Sequence, residues 1–201
     1  MRKSYFSISE LVFIAMIAAM GIGVKTIIAP LIQIITGPLF IPGGVVAGGI
    51  YMSFLVLATS ITNKIGSASL VAILQAVFVM ITGTIGTHGV VSLLTYSLPG
   101  IFVDLFFLIS RNKGNNMLCC FIAGMIANVI GSYSVNLIIF NLSIIPLLLS
   151  LVSATLSGGI GGLVAYSIGQ KLNNIGLINN NDAKISTYIP IPKELENKDM
   201  Y

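Results

Sequence analysis

Three ionisable side chains interrupt long apolar stretches and are the first candidates for chemistry: Lys25, His88 and Asp104. Lys25 ends the stretch "AMIAAMGIGVK". There it can either snorkel toward the headgroups or point into a cavity as a ligand contact. His88, in "TGTIGTHG", is either a solvated loop histidine or a second such contact. Asp104 is set deeper in its run, where a charge costs about 2.5–3.5 kcal/mol if central. A neutral state, or pairing with Arg111 or Lys113, would suit that depth. Lys25 and His88 fall toward one membrane face and Asp104 toward the other, so the three do not converge as an intramembrane enzyme requires.

Uncharged polar groups form a second set. Asn128, Ser132 and Asn136 recur every four residues and so share one helix face. Amides and hydroxyls in lipid need partners, so this row is either interhelical hydrogen bonding or the wall of a polar ligand site. Thr95, Tyr96 and Ser97 precede Pro99-Gly100, and Gln75 stands alone in its run. The sequence has no G-x-x-x-x-G-K-[ST], so no phosphate-cradling loop of that kind is present. "SGGIGG", 157–162, lies inside an apolar run and reads as close helix packing. With a single histidine and no H-E-x-x-H, neither a hydrolytic metal site nor a Ser-His-Asp triad is expected. No metal or cofactor is expected either.

The elements that must position these residues are membrane helices. The chain is 56% hydrophobic and 8% charged over 201 residues, with mean hydropathy +1.00. A soluble domain carries about 25% charged residues. Runs near 8–29, 41–62, 67–83, 89–110, 117–140 and 143–169 approach the ~20 residues a span needs, the third being short. The expected fold is an all-α, polytopic membrane bundle of six transmembrane helices, with five as the fallback. Arg2 and Lys3, Lys64, Arg111 and Lys113, and Lys171 onward mark every second connection. By the positive-inside pattern both termini are cytoplasmic. These single charges are topology signals, and the net +4 is no nucleic-acid footprint. Residues 1–170 are expected to form the transmembrane domain and 171–201, Asn-rich and polar, a cytoplasmic tail.

Ser7 and Glu10 form a capping-box pattern at the first helix. The stretch 30–44, broken by Pro30, Gly37, Pro38, Pro42, Gly43 and Gly44, reads as a long outer connection and a candidate lid. Cys119 and Cys120 are helix neighbours, about 100° apart, and no disulfide between them is expected. Small residues form two stripes, Ala15/Ala19/Gly23 and Ser153/Ser157/Gly161/Ala165. In lipid such stripes let backbones approach, either inside the bundle or against another subunit.

Six short spans, Ala15-x-x-x-Ala19 on the first helix, a Gly/Pro-rich first outer connection and the missing ATPase motif together resemble the substrate-binding S component of energy-coupling factor (ECF) transporters. The resemblance covers roughly 5–170 and implies several things. Ala15 and Ala19 would dock on a transmembrane coupling subunit, with two ATPase subunits beyond it. A vitamin or cofactor precursor would be held near the outer face, which draws Lys25, His88, Tyr96, Asn128, Ser132 and Asn136 into one substrate-binding set. "ITGPLFIPGGVVAGGIYM" and "NKIGSASL" are most similar to the thiamine or hydroxymethylpyrimidine group. The chain departs from a thiamine site in having no tryptophan and no acidic residue in its outer halves. The alternatives are a membrane scaffold without a small-molecule ligand and an intramembrane enzyme.

Overall fold

The computed structural model describes residues 5–39, 41–83, 91–111 and 114–175. They form six α-helices and no strand: α1 Ile8–Thr36, α2 Gly43–Thr62, α3 Ser67–Thr82, α4 Val91–Ser110, α5 Met117–Val135 and α6 Ile144–Ile175. A 3₁₀ turn, Gly37–Leu39, follows α1, and a π-helical turn, Asn136–Phe140, extends α5. Five of these helical segments are long and apolar enough to cross a membrane; α3, with 16 residues, is shorter. At 1.5 Å per residue α3 reaches about 24 Å, less than the ~30 Å of a hydrocarbon core. The chain is a multi-pass membrane protein.

The helix starts follow from local chemistry. Ser7 caps α1: its hydroxyl accepts from Glu10 N at 3.3 Å, and the Glu10 carboxylate accepts from Ser7 N at 2.7 Å. The same carboxylate oxygen binds Lys64 Nζ at 2.7 Å, tying α1 to the turn between α2 and α3. That turn is tight because Asn63 ends α2 in the left-handed region and Gly66 opens α3 with φ +95°. Asp104 is not paired with Arg111, and Lys113, the other basic residue expected for it, lies outside the described residues. The Asp104 Oδ2 accepts from Ser69 N at 2.7 Å and Ser69 Oγ at 2.5 Å, so α4 caps the first turn of α3. A carboxylate at a helix N-terminus satisfies orphan N–H groups and faces the positive end of the dipole.

The stretch 30–44 differs from expectation. α1 continues through Pro30 to Thr36, and the connection to α2 shrinks to 37–42. Pro30 removes one backbone donor and strands the carbonyl of Thr26. Two features carry the helix across this break. Ile28, Ala29 and Ile32 pack on the core, and Gln33 Oε1 accepts from Gly43 N at the start of α2. Thr26 and Pro30 also border a cavity, where an interrupted ladder is tolerated. At the other end of the chain, α6 runs to Ile175, past the boundary expected at 170.

α2 is the central helix, and the most extensive helix pairings are those of α6 with α2 and with α5. Small residues set both contacts. A Cβ on Gly161 would meet the backbone of Gly49 in α2, and one on Gly162 would meet the carbonyl of Cys120 in α5. Gly124 and Gly158 oppose each other in the same way. Ser157 Oγ accepts from Gly49 N at 3.0 Å and donates to Val46 O at 2.5 Å. The α6 stripe therefore packs inside the bundle. Cys119 and Cys120 are unbridged.

Candidate functional site

At the end of the bundle away from Lys64 lies a cavity of about 360 Å³. This is within the range of small-molecule sites, about 300–1,000 Å³. α1 contributes Lys25, Thr26, Ala29, Pro30 and Gln33, and α2 with its N-cap Pro42 contributes Gly44, Val45, Tyr51 and Met52. α4 adds Thr95 and Tyr96, and α5 with its π-turn adds Gly131, Ser132, Val135, Asn136 and Phe140. Leu142, Leu147, Ser150 and Leu151 close it from α6 and the turn before it.

Lys25 is the charged residue of this wall. Its ammonium donates to the Tyr96 hydroxyl and lies 4.2 Å from the Tyr96 ring centroid and 5.4 Å from that of Tyr51. Ring faces attract a cation through their quadrupole. The Tyr51 hydroxyl is itself fixed, donating to Gly44 O at 2.6 Å across the first turns of α2. The π-helical turn follows from Asn136. Its Oδ1 accepts from Leu142 N at 3.0 Å, and its carbonyl accepts from Asn141 N at 2.9 Å. The widened turn brings Asn136 and Phe140 onto the same cavity wall. π-turns of this kind occur often at functional positions.

The row on α5 is divided. Ser132 and Asn136 line the cavity; Asn128 does not. Asn128 lies deeper, 1% exposed, and its Nδ2 donates to Val45 O and Ala154 O, both at 2.9 Å. It fastens α5 to α2 and α6 because two carbonyls lie within reach and Gly48 leaves room for its side chain. Four of the six expected contacts, Lys25, Tyr96, Ser132 and Asn136, share the cavity. His88 lies outside the described residues.

Tyr51, Gln33 and Ser150 escaped the sequence reading. Ser150 was hidden as a lone hydroxyl in "IIPLLLSLV". Gln33 lay in a stretch read as loop, where no helical face could be assigned. Tyr51 could have been found as the one phenol of an apolar, small-residue helix whose other aromatic side chain is Phe54.

The α1 stripe points elsewhere. Ala19 and Gly23 are exposed, Ala15 is half-buried, and a Cβ on Gly23 would meet nothing within 4 Å. Leu11, Val12, Met16 and Met20 flank this face and are also exposed. Of the two small-residue stripes it is the one left largely uncovered by the described residues.

Comparison with known proteins gives two findings. A family model described as "ABC-type cobalt transport system, permease component" matches residues 9–130. A solved structure described as an S-component of ECF transporter superposes with a TM-score of 0.71 at 20% identity, covering 90% of this chain and 94% of that one. At that identity the likeness establishes the fold. No curated protein matches.

Proposed function

The chain belongs to the family of ABC-type cobalt transport system permease components, and from that premise we propose that it is the substrate-specificity subunit of an ECF transporter. In this reading the cavity binds a vitamin or cofactor precursor on the outer face. Partner ATPase subunits, linked through a transmembrane coupling subunit, supply the ATP hydrolysis. The observation that carries the reading is the cavity, closed by α1, α2, α4, α5 and α6 at the end opposite the Glu10–Lys64 pair. Lys64 and Arg111 border the opposite face, so the positive-inside pattern turns the cavity outward.

The family description speaks of cobalt, yet the chemistry of this wall suits an organic ligand. Transition-metal ions are held by imidazole, thiolate or carboxylate groups. The cavity presents amides, hydroxyls, two tyrosine rings and an ammonium. Among the described residues no three His, Cys, Asp or Glu side chains gather as a metal site. Lys25 would repel a bare divalent cation.

Two measurements test the reading. Mass spectrometry of molecules released from the purified chain identifies the ligand, and Asn136→Ala then weakens its binding about fivefold or more. That magnitude follows from about 1–3 kcal/mol for a lost polar contact. Unchanged affinity in alanine variants at Lys25, Tyr96, Ser132 and Asn136 would place the site elsewhere. The orientation is tested in a background with Cys119 and Cys120 replaced by alanine. A cysteine at Ser143, in the turn between α5 and α6, reacts with an impermeant thiol reagent added to intact cells, and one at Asn115 does not. The reverse pattern would turn the cavity toward the cytoplasm and remove the uptake role.

A further inference from the structure

We propose that the cavity takes an organic ligand carrying an anionic group, a carboxylate or a phosphate, and that Lys25 receives it. This rests on reading the cavity as the ligand site and specifies the charge of what enters.

The first observation is a missing counter-ion. Lys25 has around it a phenol oxygen and two aromatic rings, which stabilise an ammonium without neutralising it. The sequence has six aspartates and glutamates. Glu10 is bound to Lys64 at the opposite end, and Asp104 is bound to Ser69 between α3 and α4. The other four, Asp182, Glu194, Glu196 and Asp199, follow α6. α6 ends at the Lys64 side of the bundle, where Asn173 Nδ2 donates to Ser60 O at 3.1 Å. No carboxylate of the helical bundle is placed to pair with Lys25. A half-buried charge with no carboxylate beside it among the described residues is costly, and an anionic ligand would supply the missing negative charge.

The second observation is the sense of the remaining hydrogen bonds. The carboxamide oxygens of Gln33 and Asn136 are both occupied by backbone N–H groups, of Gly43 and Leu142. That fixes both amides with their N–H groups as what they can offer a ligand. The Ser150 hydroxyl, 3% exposed on the cavity wall, has no hydrogen-bond partner among the described residues. Lys25, Gln33, Asn136 and Ser150 thus bring donors to one cavity, and a carboxylate or phosphate is acceptor-rich. Val45, Met52, Leu147 and Leu151 supply apolar wall for the body of the molecule.

The test uses a matched pair of probes, benzoate and benzamide, which share one ring and differ in charge. The full chain is purified in nanodiscs, and binding is read as a saturable rise in Tm. Benzoate is expected to bind at least about tenfold more tightly than benzamide to the wild-type chain. Lys25→Met abolishes the preference, and Lys25→Arg keeps most of it. The ligand-free Lys25→Met chain melts no lower than wild type, because a half-buried charge with no carboxylate beside it has been removed. Should Lys25→Met not fold, the wild-type comparison and Lys25→Arg decide. Equal binding of the two probes, no response to benzoate, or a preference that survives Lys25→Met would each overturn the proposal. Association with an ATPase module combined with equal probe binding removes the anion inference and leaves the transporter reading standing. A benzoate preference without that association does the reverse.

Discussion

Ala19→Trp in α1 is expected to abolish ATP-driven uptake while the purified chain still binds its ligand. The reason lies in the position of the residue. Ala19 and Gly23 are exposed, with Ala15 half-buried beside them, on a face that no helix of the bundle covers. In lipid, apolar surface alone gives no drive to associate, and close backbone contact through small residues is a main source of association energy. An indole at Ala19 holds a partner helix away and forfeits that contact. A loss of about 3 kcal/mol would lower the stability of the assembled transporter more than a hundredfold. The cavity begins further along α1, at Lys25, so ligand affinity is expected to stay within about twofold of wild type. Binding to the solubilised chain and co-purification with the coupling subunit are the two measurements. Joint loss of binding and assembly would mean that the stripe supports the fold. Normal assembly and uptake would mean that no partner sits there.

Much of this architecture is legible in the sequence because lipid imposes simple rules. Apolar runs mark the helices, and the Ser7–Glu10 capping box fixes where α1 begins. The end of α1 is not legible in that way. Pro30 reads as the breaker of an isolated helix, whereas packing of Ile28, Ala29 and Ile32 on the core and the Gln33–Gly43 bond carry the helix onward. That extension moves Pro30 and Gln33 from a supposed lid to the cavity wall. Spacing identifies a polar face on α5 but cannot say where along it a cavity stops. Asn128 and Ser132 are one turn apart, and one bridges carbonyls while the other lines the cavity. The partner of Asp104 was hidden for another reason. A neutral helix N-terminus can hold a carboxylate as a basic side chain does, and no charge pattern reports it.

The same limit applies to the two small-residue stripes, which spacing cannot tell apart, and Gly161→Leu exposes the difference between them. Gly161 lies against α2, where an added Cβ would stand 2.6 Å from the carbonyl carbon of Gly49 and 3.0 Å from its Cα. Both are backbone atoms, so no rotamer change relieves the clash, and α2 and α6 must separate. Separation breaks the Ser157 bonds to Gly49 N and Val46 O. It also strains the Asn128 bridge, whose two carbonyls belong to α2 and α6. Each polar group left unpaired in a lipid-surrounded interior costs about 1–3 kcal/mol, and together these rival the 5–15 kcal/mol that holds a typical domain folded. The expected result is little monodisperse protein from the membrane, with ligand binding and assembly lost together. Gly23→Leu is the matched control, since a Cβ there meets nothing within 4 Å. It should leave yield and Tm near wild type and reduce only association with the coupling subunit. A normal yield of Gly161→Leu with its cavity intact would mean that α2 and α6 are not fastened through Gly49 and Gly161. Collapse of the Gly23 variant would place α1 against a helix of its own bundle.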